Sequence, residues 1–170
     1  MFALDPNTGA EKVLYSFCRE RYCADGENPQ AAVINVKGTL YGTTAFGGVA
    51  GSGTVFAFDL STGTETVLHS FCTQQSCLDG EVPLASVIDV RGMLYGTTSS
   101  GGSSEQYGEV FAVDTNNGSE TVIYSFCSRQ NCTDGASPET GLIDSKGRLY
   151  GTAGAGGPSD DGVVYSIKMP

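Results

Sequence analysis

The chain has 170 residues, 39% of them apolar and only 16% charged, with 24 glycines and no tryptophan; that length supports one hydrophobic core, and the composition suits short strands joined by tight turns. A net charge of −10 argues against nucleic acid, which needs clustered Lys and Arg, and against an anionic membrane surface. No apolar run approaches the ~20 residues of a membrane span, and no basic-then-apolar signal segment opens the chain.

In chain order, residues 1–5 read as a short strand equivalent to Val55–Asp59, and KVLYSFC follows at 12–18. Cys18 and Cys23 bracket a short loop, after which Asp25-Gly26 precedes Pro29. LYGTT at 40–44 then leads through a Gly-Gly turn to VFAFD at 55–59 and TVLHSFC at 66–72. The same series returns as LYGTT at 94–98, VFAVD at 110–114 and TVIYSFC at 121–127, and begins again as LYGTA at 149–153. The period is 54 residues and then 55, with the extra residue falling between Gly102 and Gly108, where an exposed turn absorbs it.

Each unit is expected to contain four strands, in the middle copy 85–90, 93–98, 110–114 and 121–126, with a turn at Arg91-Gly92. The runs are rich in Val, Ile, Tyr and Phe and lack helical periodicity. Strict alternation over 121–126 places Val122, Tyr124 and Phe126 on one face and Ile123 and Ser125 on the other. The whole reads as a single all-β repeat domain, 1–170, made of a partial unit 1–30, full units 31–84 and 85–139, and a partial unit 140–170. Four antiparallel strands in about 54 residues is the pattern of a β-propeller blade. The alternative is a β-trefoil, also built from three four-strand units. Both ends carry the third strand of a unit, which fits a slice of a longer array, or several chains completing a ring, better than a finished threefold object.

LYGTT, the Gly-Gly turn, G-T-V-F and T-V-L-x-S-F followed by D-G-x-x-P together resemble the tandem GloVer (Gloeobacter–Verrucomicrobia) repeat family across essentially the whole chain. The resemblance implies bacterial proteins with many such repeats, often followed by cell-surface sorting signals, and no established enzymatic activity. This chain differs in its few repeats and in an added cysteine pair per unit.

All six cysteines fall in three C-x4-C pairs: Cys18/Cys23, Cys72/Cys77 and Cys127/Cys132. Threefold recurrence favours a local disulfide in each, hence an oxidising compartment: extracellular space, cell surface or periplasm. The alternative is metal, but zinc wants about four N or S ligands and each unit offers two. Asp25, Asp79 and Asp134, with Glu27 and Glu81 nearby, are calcium candidates through loop oxygens; the competing reading is turn chemistry in Asp-Gly-x-x-Pro. No other cofactor is expected. His69 fills the slot of Tyr15 and Tyr124 and reads as a strand residue rather than a base. Tyr41, Tyr95 and Tyr150 could stack on sugars, although mid-strand positions favour the core. Asn117 and Asn131 match the glycosylation sequon, and the Gly-Gly turns lack a phosphate-loop signature.

The functional expectation is an extracytoplasmic binding or scaffolding module without catalysis, its partner a protein or carbohydrate at the cell surface. Two alternatives stand beside it. One is a structural protein whose copies assemble into rings or filaments through unpaired terminal strands. The other is a propeller-type hydrolase with two carboxylates as acid and base.

Overall fold

A computed structural model describes residues 1–102 and 106–170; residues 103–105, within the loop expected to hold the extra residue, lie outside the described part. Thirteen strands form among the described residues: β1 (Phe2–Leu4), β2 (Glu11–Val13), β3 (Ile34–Val36), β4 (Thr39–Thr44), β5 (Thr54–Asp59), β6 (Thr64–Ser70), β7 (Ile88–Val90), β8 (Met93–Thr98), β9 (Glu109–Asp114), β10 (Glu120–Ser125), β11 (Ile143–Ser145), β12 (Arg148–Ala153) and β13 (Val163–Lys168). They make four antiparallel meanders: β1-β2, β3-β4-β5-β6, β7-β8-β9-β10 and β11-β12-β13. These sheets are open, and none closes into a barrel among the described residues, so the trefoil alternative does not describe the chain.

The sheets stack face to face. Val55 and Phe71 of one unit meet Leu94, Phe111 and Val113 of the next in one fully buried cluster. Tyr95, Val110, Ala112 and Phe126 meet Leu142, Leu149 and Ala153 in the other. The three-residue first strands of the successive larger sheets lie together, with β7 beside both β3 and β11. An aromatic pair crosses every junction: Phe17–Phe56, Phe71–Phe111 and Phe126–Tyr165, with ring centroids 4.9, 5.0 and 4.8 Å apart. The glycine of LYGT is explained by this pair. A Cβ on Gly42 would stand 2.7 Å from Phe56 Cζ, and one on Gly96 or Gly151 would stand closer still to Phe111 or Tyr165.

Two sequence expectations need correction. The apolar run predicts one strand over 85–90, but only Ile88–Val90 pairs. Ala85 and Val87 are buried between sheets, and the Ala85 carbonyl accepts from Thr43 Oγ1 of the preceding unit (3.0 Å) rather than from a neighbouring strand. The alternation in 121–126 also fails. Val122 pairs with Phe111 but Tyr124 pairs with Val110, so Ile123 is an extra residue in a β-bulge. Because opposed residues share a face, Val122 sides with Phe111 while Tyr124 and Phe126 face the next sheet, and Ile123 packs there with them. Leu68 makes the same bulge in the preceding unit.

Candidate functional site

Along one edge of the stack each unit carries a cap built from three loop segments. Cys18–Cys23, Cys72–Cys77 and Cys127–Cys132 are joined, each with Cα atoms 4.0 Å apart, as the C-x4-C recurrence predicts. Both cysteines of every pair adopt positive φ (62° and 53°, 61° and 51°, 55° and 49°), a region L-residues enter rarely. The clip closes over a tight turn, Arg21–Cys23, Gln75–Cys77 or Gln130–Cys132, whose middle residue Tyr22, Ser76 or Asn131 is also at positive φ. The Gly-Gly loop then closes over the clip. Gly48, Gly102 and Gly157 amides each donate to the second cysteine's carbonyl at 2.9 Å.

The recurrent aspartates lie inside these caps. Asp79 Oδ2 accepts from the Thr73 amide (2.8 Å) and hydroxyl (2.7 Å), and Oδ1 from the Gln74 amide (3.1 Å). Asp25 accepts from the Arg19 and Glu20 amides and from the Tyr15 hydroxyl (2.9 Å). Asp134 repeats the pattern with Ser128, Arg129 and Tyr124. Burial works to raise these carboxyls, but the donors outweigh it and hold all three below the usual carboxylate range. Each aspartate therefore clamps the two residues after the first cysteine, which is the turn role; its oxygens face hydrogen-bond donors. Glu27 is exposed. Glu81 approaches Cys72 and Cys77, but joined sulfurs offer no thiolate to a metal.

Caps are linked to one another. The Val82 amide donates to Ser52 O (2.9 Å), and the Ser137 amide to Tyr107 O (2.8 Å), so each Gly-rich loop is tied to the next unit's Asp-Gly turn. On this continuous rim stand exposed apolar side chains: Tyr22, Phe46, Val49, Leu78 and Tyr107. Asn131 is also exposed there, and Asn117 is exposed in a separate turn. Of the three LYGT tyrosines, Tyr95 is buried in the core, and Tyr41 and Tyr150 are half-buried.

Beneath the caps the three junctions differ. In the first, Thr44 and Thr54 hydroxyls pair at 2.8 Å against Gly26. In the third, Ala153 and Val163 fill that place against Gly135. In the middle, Glu109 occupies it. Its Oε1 and Thr98 Oγ1 each lie 2.7 Å from where a Gly80 Cβ would stand. Glu109 is 0% exposed and neither carboxyl oxygen has a partner. Burial, reinforced by Glu120 and Asp79, pushes its pKa up to about 9. Burial and Asp79 push Glu120 up to about 7. His69 shares this junction in the slot that tyrosines occupy elsewhere. Its Nε2 stands 3.9 Å from Asp79 Oδ2, too far for the bond that Tyr15 and Tyr124 make, and burial lowers its pKa despite that carboxylate. Sequence reasoning missed Glu109 and Glu120. Superposing the units would have exposed the first, since Thr54, Glu109 and Val163 share one position.

These features define an all-β tandem-repeat protein whose loops are clipped by local disulfides. The chain matches the Gloeobacter/Verrucomicrobia repeat over residues 1–170 and belongs to that family. No curated protein sequence matches it. Among solved structures it is similar to a chain of "Crystal structure of Nidogen/Laminin Complex", with a TM-score of 0.58 at 10% identity, covering 99% of this chain and 55% of that one. The chain thus spans about half the length of that relative, and at this identity the likeness is one of fold.

Proposed function

We propose that the chain is a stretch of a β-propeller-like array, working outside the reducing cytoplasm as a non-catalytic binding or scaffolding module that presents its caps. Stacked four-strand meanders with their shortest strands together support the propeller reading. Three disulfides support the compartment. Among the described residues no helix is long and apolar enough to cross a membrane. The observation that carries the function is the contrast within each cap. Cysteines, aspartate and glycines recur in every copy, whereas rim positions vary: Tyr22, Ser76 and Asn131 at an exposed one, Phe46, Ser100 and Ala155 at one that is exposed only at Phe46. A constant frame with variable exposed side chains is the organisation of a recognition surface. The fold relative was likewise solved in a complex.

The test is biolayer interferometry of the oxidised chain against a panel of extracellular proteins and polysaccharides. A partner whose affinity falls at least tenfold in the Tyr22→Ser/Phe46→Ser variant supports the reading. Unchanged affinity in that variant moves recognition off the caps, and substrate turnover defeats the non-catalytic part. A second reading, self-assembly, draws on exposed Phe2, Leu4 and Val13 at one end and Ile143 and Val164 at the other. Light scattering decides it: a monomer at high concentration removes assembly.

A further inference from the structure

On the edge away from the caps, the hairpins β3–β4 and β7–β8 bring two basic residues to one cleft. Lys37 and Arg91 occupy the first position of a two-residue turn, followed by Gly38 and Gly92, with φ of 52° and 92° in one turn and 58° and 85° in the other. Two positive φ values make this the hairpin turn that prefers Asn-Gly or Gly-Gly. The third unit places Lys146 at the same position, with φ 52°. Three of the chain's nine Lys and Arg therefore sit where local preference asks for Asn or Gly, in a protein of net charge −10. Among the described residues neither Lys37 nor Arg91 forms an ion pair.

The cleft between the two hairpins has a volume of about 580 Å³, within the range of small-ligand sites (~300–1,000 Å³), and includes Lys37, Arg91, Tyr41, Thr39, Thr115 and Asn116 in its lining. Asp89 also lines it, and its carboxylate accepts from the Gly92 amide (2.9 Å), which fixes the Arg91 turn. The Thr115 hydroxyl donates to Gly92 O (2.9 Å), leaving its oxygen able to accept. Two cations against one anion leave a single net positive charge, set among hydroxyl and amide groups and one aromatic side.

We infer that this cleft binds a carboxylated saccharide, a hexuronate unit whose carboxylate lies between Lys37 and Arg91. One net positive charge answers a monoanion, and the hydroxyl- and amide-bearing lining answers a polyhydroxylated ring that Tyr41 flanks. A phosphate dianion is matched less well, because Asp89 stands in the same wall. The inference rests on the reading of the chain as a binding module, and gives that module a ligand class and a place distinct from the caps.

Isothermal titration calorimetry with galacturonate trisaccharide, the neutral galactose trisaccharide and acetate tests it. The trisaccharide uronate is expected to bind, at least tenfold tighter than the neutral sugar or acetate, and to weaken as salt rises. Lys37→Asn and Arg91→Asn remove the charges while suiting the positive-φ turn, so folding is retained and uronate affinity drops at least tenfold in the double variant. Absence of uronate binding, equal binding of the neutral sugar, or equal binding of acetate each overturns the site. A cap partner still held by the double variant would show that the module reading stands when the cleft fails.

Discussion

The middle junction and the two that flank it share one frame but hold different chemistry. In the first and third, a tyrosine hydroxyl completes the aspartate clamp, and the space beside Gly26 or Gly135 is filled by paired hydroxyls or by hydrocarbon. In the middle, His69 stops short of Asp79 and Glu109 brings an unpartnered carboxyl into a buried space already facing Asp79 and Glu120. Packing is nevertheless the same, with Phe71 on Phe111 at the spacing seen on either side. Aromatic contact therefore sets the geometry of a junction, and the polar residues set how that junction responds to protons.

The clamps should give the largest difference. Asp25→Ala strands two amides and a tyrosine hydroxyl and is expected to lose about 3 kcal/mol in chemical denaturation under oxidising conditions. Asp79→Ala also strands three donors, and where Asp25 faces one raised carboxyl, Glu65, Asp79 faces Glu109 as well as the equivalent Glu120, so its loss should be smaller by about 1 kcal/mol. Equal losses would show that the middle cluster is electrostatically idle.

Next comes Glu109→Thr, which copies the first junction. A carboxyl held at about 9 when folded, against an ordinary 4.5, keeps its proton in the fold after the unfolded chain has lost it. Its contribution is therefore intact below pH 4.5 and is lost progressively as pH rises toward 9. Glu65 and Glu120, both near 7, act in the same direction over a narrower window. The clamping aspartates act oppositely, losing their contribution as pH falls below the ordinary 3.8. His69, held neutral, also favours the fold less as pH falls below 6.5. The chain should be most stable in mildly acidic solution, and Glu109→Thr should flatten the alkaline limb, gaining about 2 kcal/mol near pH 8. A thermal-melt series across pH that is unchanged by the substitution would contradict this. The smallest effect is His69→Tyr, expected to gain about 1 kcal/mol by donating to Asp79 as its sister tyrosines do.

Much of this was legible before any coordinates. The period, the cysteine partners and the Arg91-Gly92 turn are local and repeat three times, so each copy checks the others. The bulges at Leu68 and Ile123 were not legible, because T-V-I-Y-S-F has the same alternation with or without an inserted residue. Glu109 was missed for a related reason. An acidic residue one place after a loop glycine reads as solvated, and only the next unit's face and the Gly80 turn bury it. The Asp-Gly-x-x-Pro pattern marked Asp25, Asp79 and Asp134 as turn residues but not their partners, since most of those donors are backbone amides of no particular sequence.

The bonds from Val82 to Ser52 and from Ser137 to Tyr107 run from one period into the following one. Excising one whole period would rejoin a backbone amide to a backbone carbonyl at the same places in the repeat. Lengthening or shortening such a protein by whole steps therefore keeps these ties in register, and a one-residue difference is tolerated where it falls between Gly102 and Gly108.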